Sequence, residues 1–192
     1  MGRRETVEVQ RWDVLRGFQG KVYVDSKEEA LATAMEWSDQ QGTVWTDGSR
    51  MENGQVGAAE VWWEAGRWRG TDTFLGTNKE VFDAEAFAIL QALRLIDARG
   101  ECGREYTDFS DSQAAVARVR HTDCGPAQAL ASAAVDYSYQ ISARGNSISL
   151  RWTPAHHGLP ESRVRRVLVV QLREEAVTTP PVHGVSSLDA PD

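Results

Sequence analysis

Asp47, Glu85 and Asp111 are acids in places where the surrounding pattern asks for something else. Asp47 follows Val44 and Trp45 at the end of the β-branched, aromatic run TVWTDGS. Glu85 shares the helical phase of Val81, Ala88, Ile89 and Ala92, so it points toward an apolar face. Asp111 closes the strand-like run REYTDFS and opens a helix. A carboxylate turned toward a core is costly unless a cation meets it. Three of them converging from separate elements suit Mg²⁺, which prefers oxygen ligands and keeps part of its water shell. Each acid also has an ordinary reading alone: Asp47 as a turn former before Gly48, Asp111 as a helix N-cap, Glu85 as a charge near a helix start. The order and context of the three together favour the metal.

The elements that must position them follow from local pattern. TVWTDGS reads as a strand that stops in a turn at Asp47-Gly48. QVGAAEVWWEAGRWRGTDTFLG holds two further strands pivoting at Ala65-Gly66, which gives three consecutive strands in an antiparallel meander. A long helix capped by Asn78 runs from Val81 through Ile96 to Gly100, with apolar residues at three-four spacing. REYTDFS is the fourth strand, DSQAAVARVR a helix, and a second helix follows Pro126. SISLRWT is the fifth strand, and a last helix is expected from about Ser162 to Ala176, although the β-branched run from Val167 to Val170 within it also suits a strand. Ahead of the meander, Ser26 caps a helical stretch, KEEALATAMEWSDQ, that ends at Gly42. The domain expectation is an arm or connector over 1–42, one α/β domain over 43–177 and a Pro, Ser and Gly rich disordered tail over 178–192.

Four segments in this order resemble the motifs of the type 1 ribonuclease H family. They are TDGS at 46–49, EVFDAEAFAILQAL at 80–93, FSDSQAAV at 109–116 and RWTPAHHGLP at 151–160. The phrasing is most similar to the ribonuclease H domains of non-LTR retroelement reverse transcriptase polyproteins, and SKEEA at 26–30 resembles the connector before those domains. The resemblance implies a ribonuclease H-like mixed sheet of five strands, ordered 3-2-1-4-5, with the first three antiparallel and helices on its flanks. It implies a divalent-metal-dependent endonuclease that hydrolyses the RNA strand of RNA/DNA hybrids with two Mg²⁺ ions, for which Mn²⁺ can substitute. Asp47, Glu85 and Asp111 would be catalytic metal ligands, and the ions would stand about 3.5 to 4 Å apart. His156 matches a loop histidine that assists metal exchange and product release. Gly48, Ser49 and Gln113 match substrate-binding positions, Gln113 at the minor groove where 2′-hydroxyls mark RNA. A reverse transcriptase domain of a parent polyprotein is an implied partner.

The pattern breaks after Pro160. Read without a gap, Arg166 stands where the family carries its fourth carboxylate, which removes a ligand and sets a positive charge near a cation site. A frame slip near residue 160 is a second account of the break, and the coding DNA decides between them. Two rivals to the enzyme stay open: a catalytically inactive nucleic-acid-binding remnant, and a scaffold use of the same fold.

Composition narrows the remaining classes. The chain has 192 residues, 41% hydrophobic, enough for one core. No apolar run reaches the roughly 18 to 20 residues of a membrane span, and no secretion signal is visible, so an intracellular protein with no membrane partner is expected, its compartment unknown. Cys102 and Cys124 are too few for a disulfide framework. The net charge of −7 argues against non-specific coating of nucleic acid. The local exception lies between Arg144 and Arg173, where Arg144, Arg151, Arg163, Arg165, Arg166 and Arg173 face only Glu161. That segment is either a solvated face or a patch for a polyanion.

Overall fold

The computed structural model describes residues 17–120 and 124–155. His156, Arg166, the expected last helix and the expected tail lie outside the described residues.

The element order is β1 (Lys21–Tyr23), α1 (Lys27–Glu36), β2 (Thr43–Arg50), β3 (Val56–Glu64), β4 (Arg67–Gly76), α2 (Val81–Ala98), β5 (Glu105–Ser110), α3 (Gln113–Arg118), α4 (Gln128–Ala143) and β6 (Ser147–Trp152). The strands form one mixed sheet in the order β1-β6-β5-β2-β3-β4. β2, β3 and β4 are an antiparallel meander, while β2–β5, β5–β6 and β1–β6 are parallel. The expected 3-2-1-4-5 order is present as β4-β3-β2-β5-β6. The expected count of five is corrected to six, because Lys21–Tyr23 adds a parallel edge strand beside β6. Three residues carry no periodic signal. What holds them is tertiary: Phe18, Val22 and Val24 pack on the main core, and Arg120 donates to the Val22 carbonyl at 2.9 Å.

Alternation in the strands sends successive side chains to opposite faces. Val44, Tyr106, Ile148 and Leu150 meet Ile89, Leu90, Leu93 and Ile96 of α2 and Ala134 and Ile141 of α4 in the larger core. Trp45, Ala59, Val61 and Phe109 form a second cluster with Ala34 of α1, the Trp45 and Phe109 rings stacked at 4.6 Å between centroids. The central strands are therefore covered on both sides, and α1 does part of that covering.

Several local expectations change at the element ends. α1 is capped by Ser26, whose hydroxyl accepts from the Glu29 N–H while the Glu29 carboxylate accepts from the Ser26 N–H, a reciprocal capping box. The Ser26 hydroxyl, and after it the Ser26 N–H, donate to the Glu29 carboxylate and hold it below the usual carboxylate range. The helix stops at Glu36, short of Gly42, where Trp37 turns to pack against the second cluster. α2 begins after Glu80, not at an Asn78 cap, and Asp83 accepts from the Glu80 N–H at 3.4 Å. Val81, expected on the core face, is 41% exposed in that first turn. The Ala65-Gly66 pivot is as expected, with φ of 49° and 76°, the mirror-turn geometry that joins twisted strands.

Candidate metal site

The parallel register of β2 and β5 does the first part of the positioning. Trp45 pairs with Phe109 and Thr46 with Ser110, so the next residues in each strand direction, Asp47 and Asp111, emerge side by side. β2 does not turn at Asp47-Gly48; it continues to Arg50, paired with β3 throughout, and the turn comes later at Met51–Gly54. That corrects the reading of Asp47 as the end of its strand and as a turn former.

Gly48 explains why a glycine sits inside a strand. A Cβ there would lie 2.4 Å from the Glu85 backbone nitrogen and 2.6 Å from the Ala84 carbonyl carbon, so the missing side chain lets the first turns of α2 press onto β2. This close approach delivers Glu85 to the site. Gly48→Ala should cost about 1 to 3 kcal/mol by overpacking against backbone that has no rotamer to yield. Urea denaturation checks it; a variant as stable as wild type would mean the contact is slack.

Asp111 is held from behind. The Trp152 indole Nε1 donates to the Asp111 carbonyl at 3.1 Å, and the Thr153 N–H donates to the Ser110 carbonyl at 2.9 Å. The α3 N-cap is Ser112, whose hydroxyl accepts from the Ala115 N–H. The carboxylate of Asp111 is thus not the cap of α3, which removes the ordinary reading of that residue.

The outcome is one cluster: a carboxylate oxygen from each of Asp47, Glu85 and Asp111, all within 4.8 Å of one another. Asp47 is 1% and Glu85 7% exposed, while Asp111 is half-buried and opens the cluster to solvent. Opposite oxygens around an octahedral Mg²⁺ stand about 4.2 Å apart, so this donor set needs only a small closure to hold a hard cation. Among the described residues no other group of acids, His or Cys converges in this way.

The other expected site residues are spread around this centre. Gly48 packs under α2, Ser49 is half-buried beyond it on β2, and Gln113 is exposed at the first residue of α3. His156 lies outside the described residues. The basic segment is partly spoken for: Arg144 grips Asp97 with two bonds of 2.7 Å, tying α4 to α2, and Arg151 pairs with Asp25 at 3.3 Å while lying 3.7 Å from the Tyr23 ring centroid. Trp152, Ser112 and Thr153 support the site and were not singled out from sequence. Ser112 alone carried a usable signal, a serine one residue ahead of a helical run.

No protein-family model matches the chain, and no curated protein matches it. Solved structures do match. Ribonuclease H1 from the halophilic archaeon Halobacterium salinarum NRC-1 superposes with a TM-score of 0.50 at 16% identity, over 67% of this chain and 94% of that one. The N-terminal ribonuclease H domain of Rv2228c from Mycobacterium tuberculosis, solved as a maltose binding protein fusion, gives 0.51 at 19%, over 65% and 95%. LC11-RNase H1 in complex with an RNA/DNA hybrid gives 0.52 at 17%, over 68% and 98%. At these identities the likeness establishes the fold, which is ribonuclease H-like.

Proposed function

We propose that this protein is a divalent-metal-dependent endonuclease that hydrolyses the RNA strand of RNA/DNA hybrids, derived from a retroelement polyprotein. The observation that carries the reading is the convergence of Asp47, Glu85 and Asp111 within 4.8 Å, from β2, α2 and the end of β5. The fold shared with LC11-RNase H1, which is in complex with a hybrid, supports it.

In this reading the three carboxylates hold Mg²⁺ or Mn²⁺. Bound ions supply an activated water and stabilise the leaving 3′ oxygen. Asp47, most deeply buried of the three, fixes the centre on the sheet, and half-buried Asp111 forms its solvent side. Gln113 and Ser49 stand beside the acids, where a minor groove bearing 2′-hydroxyls would lie. His156 would assist product release, and a reverse transcriptase domain of a parent polyprotein is the proposed covalent neighbour. No helix among the described residues is long and apolar enough to cross a membrane.

The test is cleavage of a labelled hybrid by purified protein with Mg²⁺ or Mn²⁺, against an EDTA control and against duplex DNA. Hybrid left whole while still bound would favour the second reading, an inactive nucleic-acid-binding remnant. The specific observation behind that rival is Arg166 at the place of the family's fourth carboxylate. If the missing ligand only weakens the site, Arg166→Asp should raise cleavage roughly tenfold, by adding a hard oxygen and removing a like charge in one step. An unchanged rate with binding intact would leave the frame-slip account of the region after Pro160.

A further inference from the structure

Thr46 precedes Asp47, and its strand partner Ser110 precedes Asp111, so this pair is the last step of β2–β5 pairing before the acidic cluster. The Thr46 hydroxyl lies 3.2 Å from Asp108 Oδ1 and 3.2 Å from the Phe109 carbonyl oxygen. A hydroxyl has a single hydrogen, so it can give these two acceptors only a shared, weakened bond. Both contacts become full hydrogen bonds if Asp108 carries a proton and donates it to Thr46 Oγ1, which donates its own to the Phe109 carbonyl.

The surroundings agree. Asp108 is 0% exposed, and its Oδ2 has no hydrogen-bond partner. On the other side of Thr46, its β3 partner Glu60 is 5% exposed, is bonded to Thr71 through one oxygen and has no partner for the other. Among the described residues, the charged groups bearing on this row are acids: Glu60 acts on Asp108, and Asp72 of β4 acts on Glu60. α2 and α4 bury Ala88, Ile89, Ala92, Leu93, Ala134 and Val135 on their inner faces and no cation; their one buried charged residue is Glu85 of the cluster. Burial accordingly pushes the Asp108 carboxyl well above its ordinary range.

We infer that Asp108 is a neutral carboxylic acid and a positioning residue: through Thr46 it ties β5 to β2 one step before Asp111 and Asp47, and so sets the gap between those two carboxylates. The positioning half rests on the metal reading proposed above; the neutral-acid half does not. An ionised Asp108 would pull the Thr46 hydrogen to itself, release the Phe109 carbonyl and place a second negative charge beside Glu60.

Two measurements test the two halves separately. Infrared spectra of metal-free Glu60→Gln protein at neutral pH should show a protonated-carboxyl band that disappears when Asp108→Asn is added; no such band overturns the inference. Mg²⁺ titration followed by tryptophan fluorescence uses Trp45, two residues from Asp47 and stacked on Phe109. Asp108→Val and Thr46→Val should each bind Mg²⁺ roughly tenfold more weakly, the scale of losing a group that orients a ligand. Asp108→Asn keeps a donor for Thr46 and should stay within about twofold of wild type. Asp108→Val removes a buried acid, so its melting temperature should hold or rise, and weaker Mg²⁺ binding cannot then be put down to poor folding. Equal affinity in Asp108→Val and wild type overturns the positioning role. Wild type that binds no Mg²⁺ sinks the metal reading and the positioning with it, while the infrared band still decides the state of Asp108.

Discussion

Asp47→Asn should lower metal-dependent hybrid cleavage on the order of 10³-fold and, in EDTA, melt a few degrees above wild type. The two effects have opposite signs because the same charge does two things. Ions in such a site supply several kcal/mol of transition-state stabilisation, and each 1.36 kcal/mol is tenfold in rate. Without metal, the three carboxylates lie within 4.8 Å of one another and two of them are buried, so their mutual repulsion opposes folding. Removing one charge relieves part of that, a gain on the order of 1 kcal/mol or roughly 2–4 °C for a chain of this size. Millimolar Mg²⁺ should reverse the ranking, because only the wild type binds it tightly in the folded state. Thermal melts of both proteins with EDTA and with Mg²⁺ check this. A variant that melts below wild type in EDTA and gains the same shift from Mg²⁺ would show that Asp47 is a structural acid and the cluster no metal site.

The three acids were readable in the sequence because each interrupts a pattern that is otherwise regular. Glu85 falls on the apolar stripe of the helix, and Asp47 and Asp111 end runs of β-branched and aromatic residues. The strands of the meander and of the central pair were readable for the same reason, since they are long enough to show alternation, whereas the adjacency of β2 and β5 was implied only by the family resemblance. Elements that depend on tertiary contact were not. β1 has three residues and stands by packing of Phe18, Val22 and Val24, which no local window registers. Gly48 read as a turn because glycine after aspartate usually is one. Its actual role, a close approach by α2, exists only once the helix is docked.

Glu60 and Asp108 show the same limit more sharply. In VGAAEVWWE and EYTDFS each acid alternates with apolar neighbours, and a half-exposed strand would turn it to water. Here the central strands have no water side: α2 and α4 cover one face, and the cluster built on Ala34 of α1 occupies the other. The resulting cost has a definite pH signature. Burial, with Asp72 nearby and against the bond from Thr71, pushes Glu60 from 4.5 up to about 7. A carboxyl raised in the folded state favours folding while protonated, so its contribution is fully present below about pH 4.5 and is lost as pH rises through about 7. The shift corresponds to a fall in unfolding free energy on the order of 3 kcal/mol across that window, which flattens above it. Glu60→Gln should remove this slope and, at pH 8, exceed wild type by about that amount, because the amide is neutral at every pH and still offers Thr71 an acceptor. Urea denaturation of both proteins in EDTA at pH 5 and pH 8 reads the difference directly. Parallel stability curves for the two proteins would mean that Glu60 stays ionised throughout, with water or a cation reaching the row beneath α2.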